Sequence, residues 1–236
     1  MKILLLGRSL GAGGTERQMV NLANALAEKK VDVHIATFYK GGRMEQEIAS
    51  SGRVQLHSLN KAGRWDLARF GWRYRDFVAR HRFDVVYSFL PGPNSMALLG
   101  KTLKNRPKIV WGIRDSPPDF SFYDRFSKWA ARAESTLSPL SDHIVVNSRA
   151  ALEVWTQSGF PREKLTYIAN GIDTMRFVPN LSARDVIRRG LGMRMSTVLI
   201  GIVGRIDPKK DHKAFLSCAS MLLRRFPDAQ FLCVGG

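Results

Sequence analysis

Cysteine, acidic residues and long apolar runs are all scarce in this sequence of 236 residues. The two cysteines, Cys218 and Cys233, are far apart and late in the chain, which excludes a disulfide scaffold and gives no zinc-ligand spacing. Two reduced thiols are typical of a cytoplasmic protein. The longest apolar runs, residues 2–6 and 198–203, are too short to span a bilayer, and the first is too short for a secretory signal. Both are predicted to be buried strands.

The shortage of acidic residues leaves a formal net charge of +17, from 37 Lys plus Arg against 20 Asp plus Glu. The excess is concentrated in residues 61–82, where aromatic residues are interleaved, and in residues 101–114. Three interpretations remain open: a solvated helix whose aromatic residues enter the core, a surface that binds anionic lipid head groups, or a surface that follows nucleic-acid phosphates. Nucleic acid is the least favoured of the three.

Over the first 175 residues, short apolar runs alternate with segments of helical periodicity. This alternation predicts βαβ units and an α/β fold with a doubly wound parallel sheet of the Rossmann-like type. Strands are predicted at residues 2–6, 31–37, 54–59, 84–89, 108–113, 143–147 and 165–168, and helices at 15–29, 65–82, 95–104, 124–136 and 148–158. Residues 91–94, Pro-Gly-Pro-Asn, are predicted to be a turn, with Ser95 and Ser148 capping the helices that follow.

Ligands of such sheets bind beyond the carboxyl ends of the strands. The candidate site therefore lies in the loops after Leu6, Phe89, Ile113 and Asn147. We predict two domains, residues 1–175 and residues 176–236. The second contains a helix at 183–189 and one β-α-β unit: strand 197–203, helix 211–225 and strand 229–234. Two parallel strands cannot bury both faces of their sheet, so this domain is expected to be incomplete.

Two loops, each followed by a helix, are candidate phosphate sites. Gly11-Ala12-Gly13-Gly14 joins the first strand to the first helix, where a helix N-terminus favours a negative group. The dinucleotide fingerprint is not met, because Glu16 occupies the position of its third glycine. Near the other end of the chain, Arg205 and Lys210 flank a tight turn before a helix. Two cations so placed suit a diphosphate, but spacing alone does not distinguish such a site from a loop with solvated cations.

Four segments in this order resemble glycosyltransferase family 4, which has the two-domain GT-B fold. The first, Gly13-Gly14-Thr15-Glu16-Arg17, is similar to the start of the family's first helix, and the second, residues 142–148, resembles a strand late in the first domain. Residues 170–179, which begin Asn170-Gly171-Ile172-Asp173, resemble the interdomain linker. Residues 204–212, with Arg205 and Lys210, resemble the donor-phosphate loop.

The resemblance implies transfer of a sugar from a nucleotide-sugar donor to a growing glycan or lipid-linked acceptor, with retention at the anomeric carbon and with neither cofactor nor metal. Arg205 and Lys210 would hold the donor diphosphate and assist its departure. Gly13, Gly14 and Glu16 would line the cleft, with Asn170 a further substrate-binding candidate. The family often has a histidine after the strand at 108–113. Here Arg114 follows that strand, and we predict that it binds a charged acceptor.

The family's second domain also carries a pair of glutamates, which would lie beyond residue 236. We therefore expect this chain alone to be inactive. The alternative function is a non-catalytic fragment that binds an acceptor or a membrane. The basic surface would place the protein in the cytoplasm, at the inner face of an anionic membrane.

Overall fold

The computed structural model describes residues 1–63, 65–114 and 133–235, except for the side chains of residues 49–51 and 209. Most of the helix predicted at 124–136 lies outside the described residues. The chain divides into two compact units, Met1–Gly171 and Ile172–Gly236.

The first unit is built on a sheet of seven strands, every one of which pairs in parallel with its neighbours. The strands are β1 (Lys2–Gly7), β2 (Asp32–Thr37), β3 (Gln55–Ser58), β4 (Val85–Phe89), β5 (Lys108–Ile113), β6 (His143–Val146) and β7 (Leu165–Tyr167). Their spatial order is β3-β2-β1-β4-β5-β6-β7. The chain therefore reverses direction across the sheet between β1 and β4, as in a doubly wound fold, and the predicted fold class is confirmed.

Helices cover both faces of this sheet. They are α1 (Gly14–Glu28), α2 (Glu45–Ser51), α3 (Ala68–His81), α4 (Pro91–Ala97), which continues as a 3-10 helix at Leu98–Thr102, and α5 (Arg149–Gln157). Successive residues of β1 point to opposite faces. Leu4 and Leu6 pack in the core cluster that contains Phe70 and Tyr74 of α3, whereas Ile3 and Leu5 pack in the one that contains Met19 of α1.

The turn predicted at residues 91–94 and the cap predicted at Ser95 are wrong. The predicted turn at residues 91–94 is the beginning of α4, and Ser95 lies inside that helix and not at its cap. Proline is tolerated in a first helical turn because the N–H groups there have no intrahelical partner. The helix α2 was not predicted, since Met44 and Ile48 are too few apolar residues to show a helical period. The Ser148 cap is confirmed: its side chain accepts a hydrogen bond from the Ala151 amide at 3.0 Å.

The aromatic residues of segment 61–82 divide into two groups. Phe70, Tyr74 and Phe77 are buried, as a core-facing helix requires. Trp65 and Trp72, however, are 80% and 67% exposed. The structure therefore explains three of the five aromatic residues by packing.

The second unit contains α6 (Leu181–Gly190), β8 (Leu199–Val203), α7 (His212–Arg225) and β9 (Gln230–Val234), with β8 and β9 parallel. No residue of either strand is buried, and Val203 is among the most exposed apolar residues. A cavity of about 540 Å³ lies at the amino ends of the two strands, lined by residues such as Thr197, Phe226 and Ala229. No helix in the described part of the chain is long and apolar enough to cross a membrane.

Candidate functional site

Arg114 and Asn170 meet at the carboxyl edge of the sheet in the first unit. Arg114 directly follows β5, and its Nη1 donates to Oδ1 of Asn170 at 2.7 Å. Its Nη2 donates to the Tyr87 hydroxyl at 3.2 Å, and the guanidinium carbon lies 5.3 Å from the centre of the Phe89 ring. Two residues that the sequence singled out separately are therefore in direct contact.

The charge of Arg114 is held by neutral groups. Burial raises the pKa of Tyr87, and the nearby guanidinium opposes that rise only in part, so the hydroxyl stays neutral at physiological pH. Among the described residues, no carboxylate forms an ion pair with Arg114, and its buried Nε has no hydrogen-bond partner. An arginine with a positive charge and a spare donor is suited to an anionic or polar ligand.

The segment after β7 is fastened to helix α1. The side-chain amide of Gln18 donates to the Gly171 carbonyl at 2.8 Å and accepts from the Gly171 amide at 2.9 Å. Asn147, which follows β6, donates from Nδ2 to the Arg114 carbonyl at 3.4 Å. These contacts join the chain segments after β5, β6 and β7 with the beginning of α1.

Sequence reasoning missed Gln18 and Tyr87 as parts of this arrangement. Gln18 has a weak signal, because it is a polar residue one turn into the helix that follows the glycine-rich loop. Tyr87 gives no sequence signal, because it stands in an apolar strand and only the tertiary fold determines the partner of its hydroxyl.

The glycine-rich loop leads into the N-terminus of α1. Gly13 is the N-cap residue and provides no side-chain cap, and a Cβ added at Gly14 would meet no atom within 4 Å. A Cβ at Gly13, in contrast, would lie 2.1 Å from a carboxylate oxygen of Glu16. Glu16 thus folds over the helix start, where a negative charge is favoured. An anionic ligand at this position would have to displace that carboxylate.

The loop rests on close backbone packing. Gly42 has φ +149°, and a Cβ there would lie 2.2 Å from the Leu10 carbonyl oxygen. The Met44 amide donates to the same oxygen at 3.1 Å. The loop after β2 therefore braces the loop after β1.

A buried polar chain supports the carboxyl end of β4. The Ser88 hydroxyl donates to Oδ1 of Asn94 at 2.8 Å, and Nδ2 of Asn94 donates to Oε1 of Glu134 at 2.8 Å. All three residues are buried. Such a chain fixes the start of α4 relative to the strand, because each buried polar group needs its partner.

In the second unit, Arg205 and Lys210 lie in the loop between β8 and α7. Both are exposed, and neither forms an ion pair within the described part of the chain. The Lys210 side chain passes over Gly204, where an added Cβ would lie 3.4 Å from its Cγ and Cδ. Asp211 caps α7 by accepting from the Ala214 amide at 3.1 Å.

Bare backbone lies beside Lys210. Gly204 donates to the Val234 carbonyl at 2.9 Å, and a Cβ on Gly235 (φ +128°) would lie 2.2 Å from the Gly204 carbonyl oxygen. Only glycine fits at Gly235, because both the positive φ and the close approach exclude a side chain. Gly204 and Gly235, at the carboxyl ends of β8 and β9, thus form a glycine shelf beside the Lys210 side chain, and Arg205 directly follows Gly204 in the chain. Sequence reasoning did not identify Gly235.

Comparison with known proteins identifies the family of this chain. Residues 12–176 match the family described as Glycosyltransferase Family 4. The chain is 23% identical to EpsF of Bacillus subtilis (strain 168) over 99% of its own length and 62% of that protein. It is 24% identical to the N-acetylgalactosamine-N,N'-diacetylbacillosaminyl-diphospho-undecaprenol 4-alpha-N-acetylgalactosaminyltransferase of Campylobacter jejuni subsp. jejuni, over 91% of this chain and 58% of that enzyme. The chain therefore spans about three fifths of the length of these relatives.

Solved structures share the fold at low identity. HepE from Anabaena, in complex with UDP and glucose, superposes with a TM-score of 0.75 at 17% identity, over 99% of this chain and 69% of that one. Sucrose-phosphate synthase from Thermosynechococcus elongatus gives a TM-score of 0.76 at 16% identity, over 100% of this chain and 63% of that enzyme. These similarities agree with the GT-B type architecture.

Proposed function

The chain belongs to glycosyltransferase family 4, and from this premise we propose that the protein transfers a sugar from a nucleotide-sugar donor to a glycan or lipid-linked acceptor, with retention at the anomeric carbon. The observation that carries the donor side is the glycine shelf beside Arg205 and Lys210. Support also comes from the UDP and glucose bound by HepE, whose fold is similar.

The two cations would bind the donor diphosphate in different ways. Arg205 can donate to two phosphate oxygens at once, and Lys210 supplies a compact charge next to exposed backbone. As the bond between sugar and diphosphate breaks, negative charge grows on the leaving phosphate. Fixed positive charges stabilise that charge and thereby lower the barrier.

Calorimetric titration with a panel of nucleoside diphosphates tests this assignment. Arg205→Ala and Lys210→Ala should each weaken binding by about 1.5–3 kcal/mol, the range for hydrogen bonds to charged groups. Arg224→Ala is the matched control, because it removes the same charge from the last turn of α7. If Arg205→Ala and Lys210→Ala bind nucleoside diphosphates as tightly as Arg224→Ala does, the phosphate site is refuted. A folded chain that binds no nucleotide would favour the alternative function, a non-catalytic fragment.

On the acceptor side, we propose that Arg114 binds an anionic or diphosphate-linked acceptor, with Asn170 holding the guanidinium in place. The Campylobacter jejuni relative is named for a diphospho-undecaprenol acceptor. Arg114→Ala in the full-length enzyme should raise the acceptor KM and leave the donor KM unchanged. An unchanged acceptor KM would remove this role.

Retention and independence from metal are parts of the same proposal. Nuclear magnetic resonance of the product should show the anomeric configuration of the donor, and turnover should persist in EDTA. An inverted product or loss of turnover in EDTA would each correct the mechanism.

We further propose that the protein meets its acceptor at an anionic membrane surface. Trp65, Arg69, Trp72 and Arg75 are all exposed on or beside α3. Exposed indoles next to arginines suit the interface between lipid head groups and acyl chains. This arrangement favours lipid over nucleic acid, although unstacked bases could also bind indole rings.

Sedimentation with vesicles distinguishes the two. We expect binding to vesicles that contain anionic lipid, weaker binding after Trp72→Ala, and none to neutral vesicles. If the protein binds random DNA, if Trp72→Ala does not weaken that binding, and if affinity falls steeply with salt, the surface binds nucleic acid instead.

A further inference from the structure

Three of the five histidines in the chain converge at one place in the first unit. His34 lies on β2, His57 on the edge strand β3 and His81 at the end of α3. One ring nitrogen from each lies within 4.8 Å of the others. His34 is buried, and the other two are half-buried. We call these three residues the histidine cluster.

The hydrogen bonds around the cluster orient lone pairs inward. Nδ1 of His81 lies 2.9 Å from the Phe77 carbonyl, which can only accept, so this nitrogen carries the proton and Nε2 keeps its lone pair. Nδ1 of His34 and Nε2 of His57 lie 2.9 Å apart. Between these two, one proton is shared, and a cation could replace it. Nε2 of His34 lies 3.2 Å from a carboxylate oxygen of Asp32 but forms no hydrogen bond within the described part of the chain. A carboxylate at this distance is the kind of partner that orients metal-binding histidines once the ring is turned toward it.

From this arrangement we propose that His34, His57 and His81 form a binding site for a divalent transition metal of the zinc class. Three imidazole ligands suit Zn²⁺, Cu²⁺ or Ni²⁺, with water in a fourth position. Zn–N distances of about 2.0–2.1 Å separate tetrahedral ligands by about 3.3 Å, compared with 2.9 Å between the His34 and His57 nitrogens, so these two rings would turn from each other toward a shared ion. The proposal is independent of the glycosyltransferase reaction.

The location indicates a structural role. His81 ends the helix that leads into the amino end of β4, whereas Arg114 and Asn170 lie beyond the carboxyl ends of the strands. A metal would join β2, β3 and α3, and β3 is a four-residue strand paired on one side only. Phe77 and Phe83 pack against the cluster, with ring centres 5.0 Å from those of His57 and His34 respectively, and would shield the site from water.

One nearby charge opposes a dication. The Lys2 ammonium lies 5.5 Å from the centre of the Phe83 ring, which itself packs against His34. It is also 3.7 Å from a carboxylate oxygen of Asp32, which offsets its charge. Lys2→Ala should therefore tighten metal binding, and Asp32→Asn should weaken it.

The test is titration of the untagged chain, stripped with EDTA and desalted, with ZnCl₂. We expect one Zn²⁺ per chain and a higher melting temperature with Zn²⁺. His57→Gln and His81→Gln should each weaken binding at least about 100-fold, since even loss of an outer partner costs up to that factor. His143→Gln and His212→Gln are the matched controls, because they remove the histidines outside the cluster.

Equal Zn²⁺ affinity in His57→Gln, His81→Gln and the two controls would overturn the site and leave a hydrogen-bonded packing cluster. So would the absence of any Zn²⁺-dependent stabilisation in the unsubstituted chain. Circular dichroism checks that the variants fold, and because His57 and His81 are only half-buried, they tolerate substitution better than His34 does. Co²⁺ absorption gives an independent readout: a tetrahedral nitrogen-ligand spectrum is expected in the unsubstituted chain and not in His81→Gln.

Discussion

Removing the Asn94 side chain should destabilise the first unit far more than removing the Ser88 hydroxyl. Asn94→Ala deletes a hydrogen bond to the buried Glu134 carboxyl, worth about 1.5–3 kcal/mol. It also removes the acceptor of the Ser88 hydroxyl, but that hydroxyl has a second acceptor, the Val110 carbonyl at 3.3 Å. The expected loss is therefore about 2–4 kcal/mol. Ser88→Ala removes only a bond between neutral groups and should cost about 0.5–1.5 kcal/mol.

Urea unfolding followed by tryptophan fluorescence measures both values. All five tryptophans precede Gly171, so the signal reports on the first unit alone. The double variant should cost less than the sum of the two single losses, because the residues share one bond. If Asn94→Ala costs no more than Ser88→Ala, the buried chain does not hold α4 as we infer.

Three other perturbations follow from the geometry. Gly42→Ala should lower the free energy of unfolding by about 1–3 kcal/mol, because its φ of +149° and the nearby Leu10 carbonyl exclude a side chain. Gly14→Ala, with open space and a helical backbone, should be neutral or stabilising by up to about 1 kcal/mol. Thermal unfolding compares the two variants. Gln18→Ala should cost about 1 kcal/mol and speed amide exchange at Gly171, and unchanged exchange would contradict the fastening of this segment to α1. Burial opposes the ionisation of Asp142, but hydrogen bonds from the Ile109 amide and the Lys101 ammonium outweigh it and lower the pKa. This carboxylate therefore stabilises the fold above its unfolded pKa and ceases to do so as pH falls through its folded pKa, so Asp142→Asn should flatten the acid side of the stability curve.

The strands were predictable because a parallel sheet buries both faces, which leaves continuous apolar runs such as Ile3–Leu6. The carboxyl-edge location of Arg114 was equally predictable, since the residue directly follows a strand. Its contacts were not, because Asn170 is 56 residues away and Tyr87 is 27 residues away. Only the strand order brings them together.

Local rules failed where tertiary context decides. Pro91 and Pro93 indicate a turn by composition, yet they stand in a first helical turn where proline costs nothing. The histidine cluster shows the same limit more strongly. His34, His57 and His81 are separated by more than 20 residues each, and none has another histidine or a cysteine near it in the sequence.

The central position of β1 has a consequence for synthesis on the ribosome. Its Ile3 pairs with Val85 of β4, so this partner emerges about 80 residues later. At a translation rate of roughly 5–20 residues per second, one edge of β1 therefore stays unpaired for about 4–16 s. During that interval the nascent chain offers an unpaired, mostly apolar strand edge to other chains. Slower translation or depletion of holdase chaperones should therefore increase aggregation of this protein during its synthesis, even when the folded protein is stable.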